Sequence, residues 1–203
     1  MARDGGPYRG RVTVDPYWNH NTHYHPWLVQ QVPESARTAL DVGCGDGLLA
    51  GKLATRCESV LGVDIDGAII AGATTPANVR LTQADFRELD QTFDLVTVVA
   101  TLHHVPLAEG MAALRDLVAP GGTLAVVGLW KMSIHADAAY LPLLPVIWAI
   151  GQRHGGSQDP GFTCRDPDTT LAEIRAVGGE LLPGARIRRR LLWRYTLLWR
   201  KPA

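Results

Sequence analysis

The residues best suited to chemistry form one short run, Asp41, Gly43, Gly45 and Gly47, with Asp64 following 17 positions after the last glycine. Glycines at alternate positions let the backbone turn tightly and leave no Cβ between the loop and a ligand. A carboxylate one strand further on can accept hydrogen bonds from both hydroxyls of a ribose. Loop and acid together therefore imply a nucleoside. The spacing G-x-G-x-G departs from the G-x-G-x-x-G of dinucleotide sites, and the chain lacks a Tyr-x-x-x-Lys dyad. An NAD(P)-dependent oxidoreductase is a poor fit.

Histidines supply the second set of candidates. His103 and His104 follow a β-branched run at what should be the carboxyl edge of a sheet, where open α/β folds bind ligands. Either could act as a general base, and His104 could instead hydrogen-bond and fix the loop. In the leader, His20, His23 and His25 stand among Tyr17, Trp18, Tyr24 and Trp27. A metal site there would need a carboxylate or thiolate partner that the leader does not offer, so no metal is expected. The leader residues, His20, Tyr24 and His25 among them, either line an acceptor pocket or pack onto the sheet.

The elements that must position these residues are legible from Thr38 onward, where β-branched runs alternate with helix-compatible stretches as in βαβ units. Strands are predicted at Ala39–Val42, Ser59–Val63, Val79–Thr82, Phe93–Val99 and Thr123–Gly128. Helices are predicted at Leu48–Arg56, Gly67–Ala73 and Leu107–Val118, the last ended by a turn at Pro120-Gly121-Gly122. A further helix is expected over Asp168–Val177, capped by Gly178-Gly179, and then a tight antiparallel hairpin, Ala185–Leu192 with Tyr195–Lys201. The arginines of that hairpin, Arg186, Arg188, Arg189, Arg190 and Arg194, alternate with Ile187 and Leu191 and read as a solvated strand face. The expected whole is an α/β fold: a doubly wound, mostly parallel seven-stranded sheet closed by the hairpin. One domain covers residues 1–203, with 1–37 as a cap and 130–165 as an irregular, aromatic lid. In that lid Trp130, Tyr140 and Trp148 would form an apolar cover, or else a dimer contact.

Asp41-x-Gly43-x-Gly45-x-Gly47 with Gly62-Val63-Asp64-Ile65 resembles the class I S-adenosylmethionine-dependent methyltransferases, in the small-molecule branch called methyltransferase type 11. Gln83-Ala84-Asp85-Phe86, the stretch from Phe93 to Val105 and Pro120-Gly121-Gly122 agree with that pattern, so the resemblance spans roughly residues 38–128. It implies a Rossmann-like fold with S-adenosylmethionine as cofactor. Gly43, Gly45 and Gly47 would wrap the methionyl part, Asp41 would contact its amino group and Asp64 would hold the ribose. Ile65 would pack on the adenine, Asp85 would accept from its amino group and Phe86 would flank it. A small, lipophilic or aromatic acceptor would then lie near His103, His104, His20, His25, Tyr24 and Trp130. Methyltransferases of amide nitrogens in nucleic acids and proteins often carry an Asn/Asp-Pro-Pro-Tyr/Phe motif, and Ala100-Thr101-Leu102-His103 stands in its place. A domain of this kind repurposed for another reaction would show the same loop.

Composition narrows the setting. The 203 residues suit one domain, and 20 basic residues balance 20 acidic ones, which gives no field for a nucleic-acid backbone or an anionic membrane. Cys44, Cys57 and Cys164 form no C-x-x-C pair, as expected in a reducing compartment. The polar start of the chain lacks a signal-peptide pattern, and the apolar stretch 138–150 is shorter than the roughly 20 residues needed to span a bilayer. A cytoplasmic protein is expected, with a small-molecule partner and a possible second copy of itself. Arginine outnumbers lysine 17 to 3, a balance that hints at a GC-rich bacterial genome.

Overall fold

The computed structural model describes residues 15–158 and 165–203; Cys164 lies outside them. The chain builds one seven-stranded sheet of order β3-β2-β1-β4-β5-β7-β6. Its strands are β1 (Thr38–Val42), β2 (Ser59–Asp64), β3 (Val79–Gln83), β4 (Phe93–Val99), β5 (Val118–Gly128), β6 (Arg186–Arg189) and β7 (Tyr195–Arg200). The first five are mutually parallel, and β7 runs antiparallel between β5 and β6. The helices are α1 (His25–Gln30), α2 (Leu48–Leu53), α3 (Gly67–Ala71), α4 (Leu107–Leu117), α5 (Ile134–Asp137), α6 (Leu144–Arg153) and α7 (Leu171–Leu181).

Alternation along the central strands feeds two cores, one on each face of the sheet. Leu40, Val96, Val98, Leu124 and Val126 face one way, toward Met111 and Leu114 of α4 and Ile174 of α7. Ala39, Leu95, Ala125 and Val127 face the other, toward Leu28 of α1, Leu49 and Leu53 of α2 and Ile147 of α6. Burial of each such side chain contributes about 1.5–3 kcal/mol. Asp94 sets the start of β1, its Oδ2 accepting from the backbone N–H groups of Arg37 and Thr38 at 2.8 and 2.9 Å.

Several boundaries differ from the sequence reading. Gly178 and Gly179 do not cap the seventh helix but lie inside it. Gly178 is needed for close packing, since a Cβ there would stand 2.6 Å from Ile187 Cδ1. The helix starts instead at a capping box, in which the Thr170 hydroxyl accepts from the Glu173 N–H and Glu173 reaches back to Thr170 N. Pro120-Gly121-Gly122 belongs to β5 rather than to a turn before it. The hairpin strands are separated by residues 190–194, a longer link than expected, in which Leu192 and Trp193 adopt φ of 56° and 57°. Over residues 134–153 the segment after β5 is not irregular: α5, a 3₁₀ turn over Ala138–Leu143 and α6 follow in succession. Pro145 sits in the first turn of α6, where its missing N–H has no helical partner to lose. No helix among the described residues is long and apolar enough to cross a membrane.

Candidate functional site

A cavity of about 1060 Å³ opens outside the carboxyl ends of β1, β2 and β4. It reaches the upper end of the range for small-molecule sites, about 300–1,000 Å³, and has room for two small ligands side by side. Asp41, Gly43, Gly45, Asp64, Ile65, Asp85 and Phe86 line it, and so do His20, His25, His103 and His104. Gly47, Tyr24 and Trp130 do not reach it. Gly47 begins α2 at φ 77°, and a Cβ there would meet Thr75 and Leu81, each at 3.0 Å. The Tyr24 hydroxyl donates to the Leu191 carbonyl at 2.8 Å, and Trp130 Nε1 donates to Asp137 Oδ2 at 3.3 Å. Both rings are core residues. Tyr140 and Trp148 are also outside the lining, where Leu129 is the contribution from the end of β5, so the expected apolar cover does not form a wall of the cavity.

The glycine loop turns on its own hydrogen bonds. Gly43 and Cys44 donate their N–H groups to the Val63 carbonyl at 2.8 and 3.1 Å, and Gly47 donates to Cys44 O at 2.9 Å. Gly45 N donates to Asp64 Oδ2 at 2.9 Å. These amides are therefore spent on joining β1 to β2 rather than aimed at a phosphate, unlike the loop of a dinucleotide site. Gly43 holds φ 68°, and a Cβ there would run into the Thr101 hydroxyl. Its bareness serves chain packing as much as ligand access.

Asp41 lies beneath this loop and is 1% exposed. Its Oδ1 accepts from the Thr97 hydroxyl at 2.9 Å, whereas Oδ2 is buried without a hydrogen-bond partner. Burial pushes its carboxyl up to about 7, with the Thr97 hydrogen bond acting the other way. Asp64, at the end of β2, also accepts from Asp66 N at 3.0 Å through Oδ1. Ile65 beside it is 71% exposed, a large apolar face presented to the cavity. Asp85 is engaged more than expected: the Arg87 guanidinium pairs with it at 2.6 Å and also with Glu109, and the Arg87 hydrogen bond holds the Asp85 carboxyl below its usual range.

The rings of His103 and His104 lie with centroids 4.1 Å apart, tilted by 38°. Both ring nitrogens of His103 are buried without a hydrogen-bond partner. Burial, then the neighbouring His104, brings its imidazole down to about 4. It is neutral at pH 7, and burial makes it a weak base. His25 is also neutral, brought to about 3 by burial and then by the Lys52 ammonium. Its Nδ1 lies 3.1 Å from Lys52 Nζ, which pairs with Asp15 at 2.7 Å, so its ring proton sits on Nε2. The leader closes over the loop, as the Tyr17 hydroxyl donates to Asp46 Oδ2 at 3.0 Å. It also meets the end of the post-β5 segment, since Gln158 N donates to Trp18 O at 2.9 Å. Among the described residues no cluster of three potential metal ligands occurs.

Arg194 was missed by the sequence reading. It is not on a solvated face but 8% exposed, and it lines the cavity. Arg186 and Arg188 are exposed as expected, while Arg189 pairs with Asp137 at 2.6 Å. Only the left-handed turn at Leu192-Trp193 swings Arg194 inward, and nothing in the local alternation signals that turn.

A family described as methyltransferase domain matches residues 39–122. An uncharacterized methyltransferase of Mycobacterium bovis is 39% identical over 197 residues, which cover 93% of this chain and the whole of the relative. The chain belongs to the class I S-adenosylmethionine-dependent methyltransferases. Its donor is S-adenosylmethionine and its chemistry methyl transfer. Solved structures agree in fold. The amino pentose methyltransferase CalS10 of Micromonospora echinaspora, bound to S-adenosylmethionine, has a TM-score of 0.63 at 18% identity, covering 91% of this chain and 92% of that one. The N-methyltransferase NodS of Bradyrhizobium japonicum, with S-adenosylhomocysteine, has a TM-score of 0.61 at 16% identity, covering 91% and 88%. The site suits such a donor: the orphaned Asp41 oxygen matches an ammonium, the Asp64 carboxylate a diol and the bare face of Ile65 a flat base.

Proposed function

We propose that this methyltransferase acts on a small molecule, and that the acidic half of the cavity holds the donor while the histidine half holds the acceptor. The observation that carries the reading is Asp41, a buried carboxylate of the cavity lining with one oxygen that lacks a hydrogen-bond partner, which a cationic donor of hydrogen bonds would satisfy. In this assignment Asp41 takes the methionyl ammonium, directly or through water, while Gly43 and Gly45 follow the methionyl chain. Asp64 accepts from the ribose hydroxyls, Ile65 covers the adenine, and Asp85 and Phe86 meet its edge. Gly47 shapes the loop from outside the cavity.

S-adenosylmethionine supplies, when bound, a methyl carbon already activated by a sulfonium. The protein's part is then to align a nucleophile behind that carbon and to exclude water. His103 lines the cavity with a neutral ring and is the candidate to take the acceptor's proton; burial makes it a weak base, suited to an acceptor whose proton becomes acidic as the methyl is transferred. His104 beside it, only partly buried, positions that ring. A small acceptor is supported by the cavity's size and by its lining, to which the leader and residues 157–158, hydrogen-bonded to each other, both contribute. The name of CalS10, an amino pentose methyltransferase, accords with that scale of substrate. The lining is more apolar than polar, with His20, Asn21 and His103 among its polar groups, which accords with a lipophilic or aromatic acceptor.

Titration calorimetry with S-adenosylmethionine and, in parallel, NADH tests the donor site, with micromolar binding of the first alone expected. Binding of NADH, or of neither, would overturn the assignment. Transfer of labelled methyl to a small-molecule extract fraction, and not to protein or nucleic acid, tests the acceptor class.

A further inference from the structure

We infer that His25 receives the carboxylate of the donor's methionyl group through its Nε2–H, with the Lys52 ammonium behind the ring. The inference rests on the donor assignment above and moves His25 from the acceptor's company to the donor's. Asp41 accounts for the ammonium of an α-amino acid; the carboxylate on the same carbon is ionised at neutral pH and needs a hydrogen-bond donor of its own. His25 begins α1, is 5% exposed and lines the cavity. Lys52 of α2 is not among the lining residues, so the Nδ1 edge of the ring, 3.1 Å from Lys52 Nζ, faces away from the cavity. An ammonium only donates, so Nδ1 accepts and the ring proton stands on Nε2. Among the described residues the contact with Lys52 is the ring's one hydrogen bond. A buried histidine of the core is ordinarily satisfied at its polar atoms; this one keeps an N–H open beside a cavity.

Both ends of the amino acid would meet α2. Leu48 and Leu49 of that helix line the cavity next to the glycine loop. The backbone of Ala50 acts on the Asp41 carboxyl, and Lys52 holds the His25 ring. Two residues are about 3 Å of helix rise, so the carboxylate and the imidazole are anchored at neighbouring levels of one helix, as the two charged groups of a single α-carbon require. Lys52 is itself fixed, because Asp15 pairs with it at 2.7 Å from the leader. Its charge polarises the imidazole from behind, which strengthens the Nε2–H as a donor to an anion without placing an ammonium in the cavity wall. An acid for the ammonium and a polarised N–H for the carboxylate are the complementary filling for a zwitterion. Lys52 and Asp15 act only through the ring and are positioning residues.

The test is calorimetry on the full chain with S-adenosylhomocysteine and with its decarboxylated counterpart, which keeps the ammonium and loses only the carboxylate. The wild type is expected to bind the first at least about tenfold more tightly. His25→Leu is expected to bring that preference within about twofold by weakening S-adenosylhomocysteine alone. His25→Gln, whose amide N–H can stand near the place of Nε2–H, should restore part of it. Lys52→Met, which frees the ring to change tautomer, should lower the preference without abolishing it. NMR of isotope-labelled wild-type imidazoles needs no variant and stands even where these chains fail to fold: S-adenosylhomocysteine should move one Nε2–H signal downfield, and the decarboxylated ligand should not. Equal binding of the two ligands, a preference that survives in His25→Leu, or imidazole signals that respond alike to both would each overturn the proposal. A wild type that binds neither ligand would instead indict the donor assignment.

Discussion

Replacing Asp41 by Asn keeps the size of the side chain and an oxygen for the Thr97 hydroxyl, and removes the charge facing the cavity. A charge-assisted hydrogen bond to an ammonium is worth about 1.5–3 kcal/mol, so the variant should bind S-adenosylmethionine about 10- to 150-fold more weakly. The pH dependence is the sharper signature. With its carboxyl near 7 in the free enzyme, Asp41 is protonated below that pH and must lose the proton to receive an ammonium. Affinity should therefore fall about tenfold for each pH unit below about 7, level off above it, and fall again once the ligand's own α-amino group titrates near about 8. Calorimetry at pH 6 in two buffers of different ionisation enthalpy should show close to one proton released per ligand bound by the wild type, and none by Asp41→Asn. The folding linkage has the opposite sense to that of a salt-bridged acid. The native carboxyl lies above the unfolded value of about 3.9, so the native state holds the extra proton and stability falls as pH rises from about 4 to about 7. Asp41→Asn should lack that fall, becoming the more stable chain above pH 7 by no more than about 4 kcal/mol. Equal affinity in the two proteins, or a wild-type titration with no proton release, would refute the role of Asp41.

Asp64→Ala should weaken donor binding by about 1–3 kcal/mol in calorimetry and also lower Tm, because the N–H groups of Gly45 and Asp66 lose their acceptor along with the ribose. His103→Gln should reduce turnover in a labelled-methyl assay while leaving donor affinity unchanged; normal turnover would remove His103 from proton transfer. The neutral, buried His25 and His103 have native values of about 3 and about 4, below their unfolded range, so the unfolded chain binds more protons as pH drops. Stability should be lost as pH falls from about 6.5 through about 4, and Tm of His103→Gln should fall less over that window. Gly43→Ala should cost more than about 1 kcal/mol by chemical denaturation, since it combines a left-handed φ with a collision at Thr101; Thr101→Gly in the same chain should recover part of the loss.

The donor half of the site was legible because its determinants are local. A glycine loop between a strand and a helix and an acid at the end of the next strand stand at fixed intervals, so spacing pointed to Asp41 and Asp64, and the family resemblance added Ile65, Asp85 and Phe86; all five line one cavity. Strand positions were readable for the same reason: alternation and β-branching are properties of short windows. Helix ends were read less well. Gly178 looked like a stop signal, yet packing against Ile187 kept it inside the helix. Arg87, whose guanidinium occupies Asp85 and Glu109, gave no hint of that role in its neighbourhood.

The sequence by itself determined the sheet, the family and the acids that line the cavity, because a glycine loop and the strand-end acids lie a turn or a strand apart. Only the tertiary structure decided which leader and hairpin residues reach the cavity. Tyr24 and Trp130, apolar rings that local reasoning sent to the pocket, gain more from burial in the core and leave the cavity to others. Arg194, which alternation sent to solvent, is carried inward by two left-handed residues whose conformation depends on contacts with Tyr24 and Tyr140, segments far away in the chain. Side-chain direction in a strand follows a period of two, but the path of a link between strands is set by what it packs against, and that information is spread over the whole molecule.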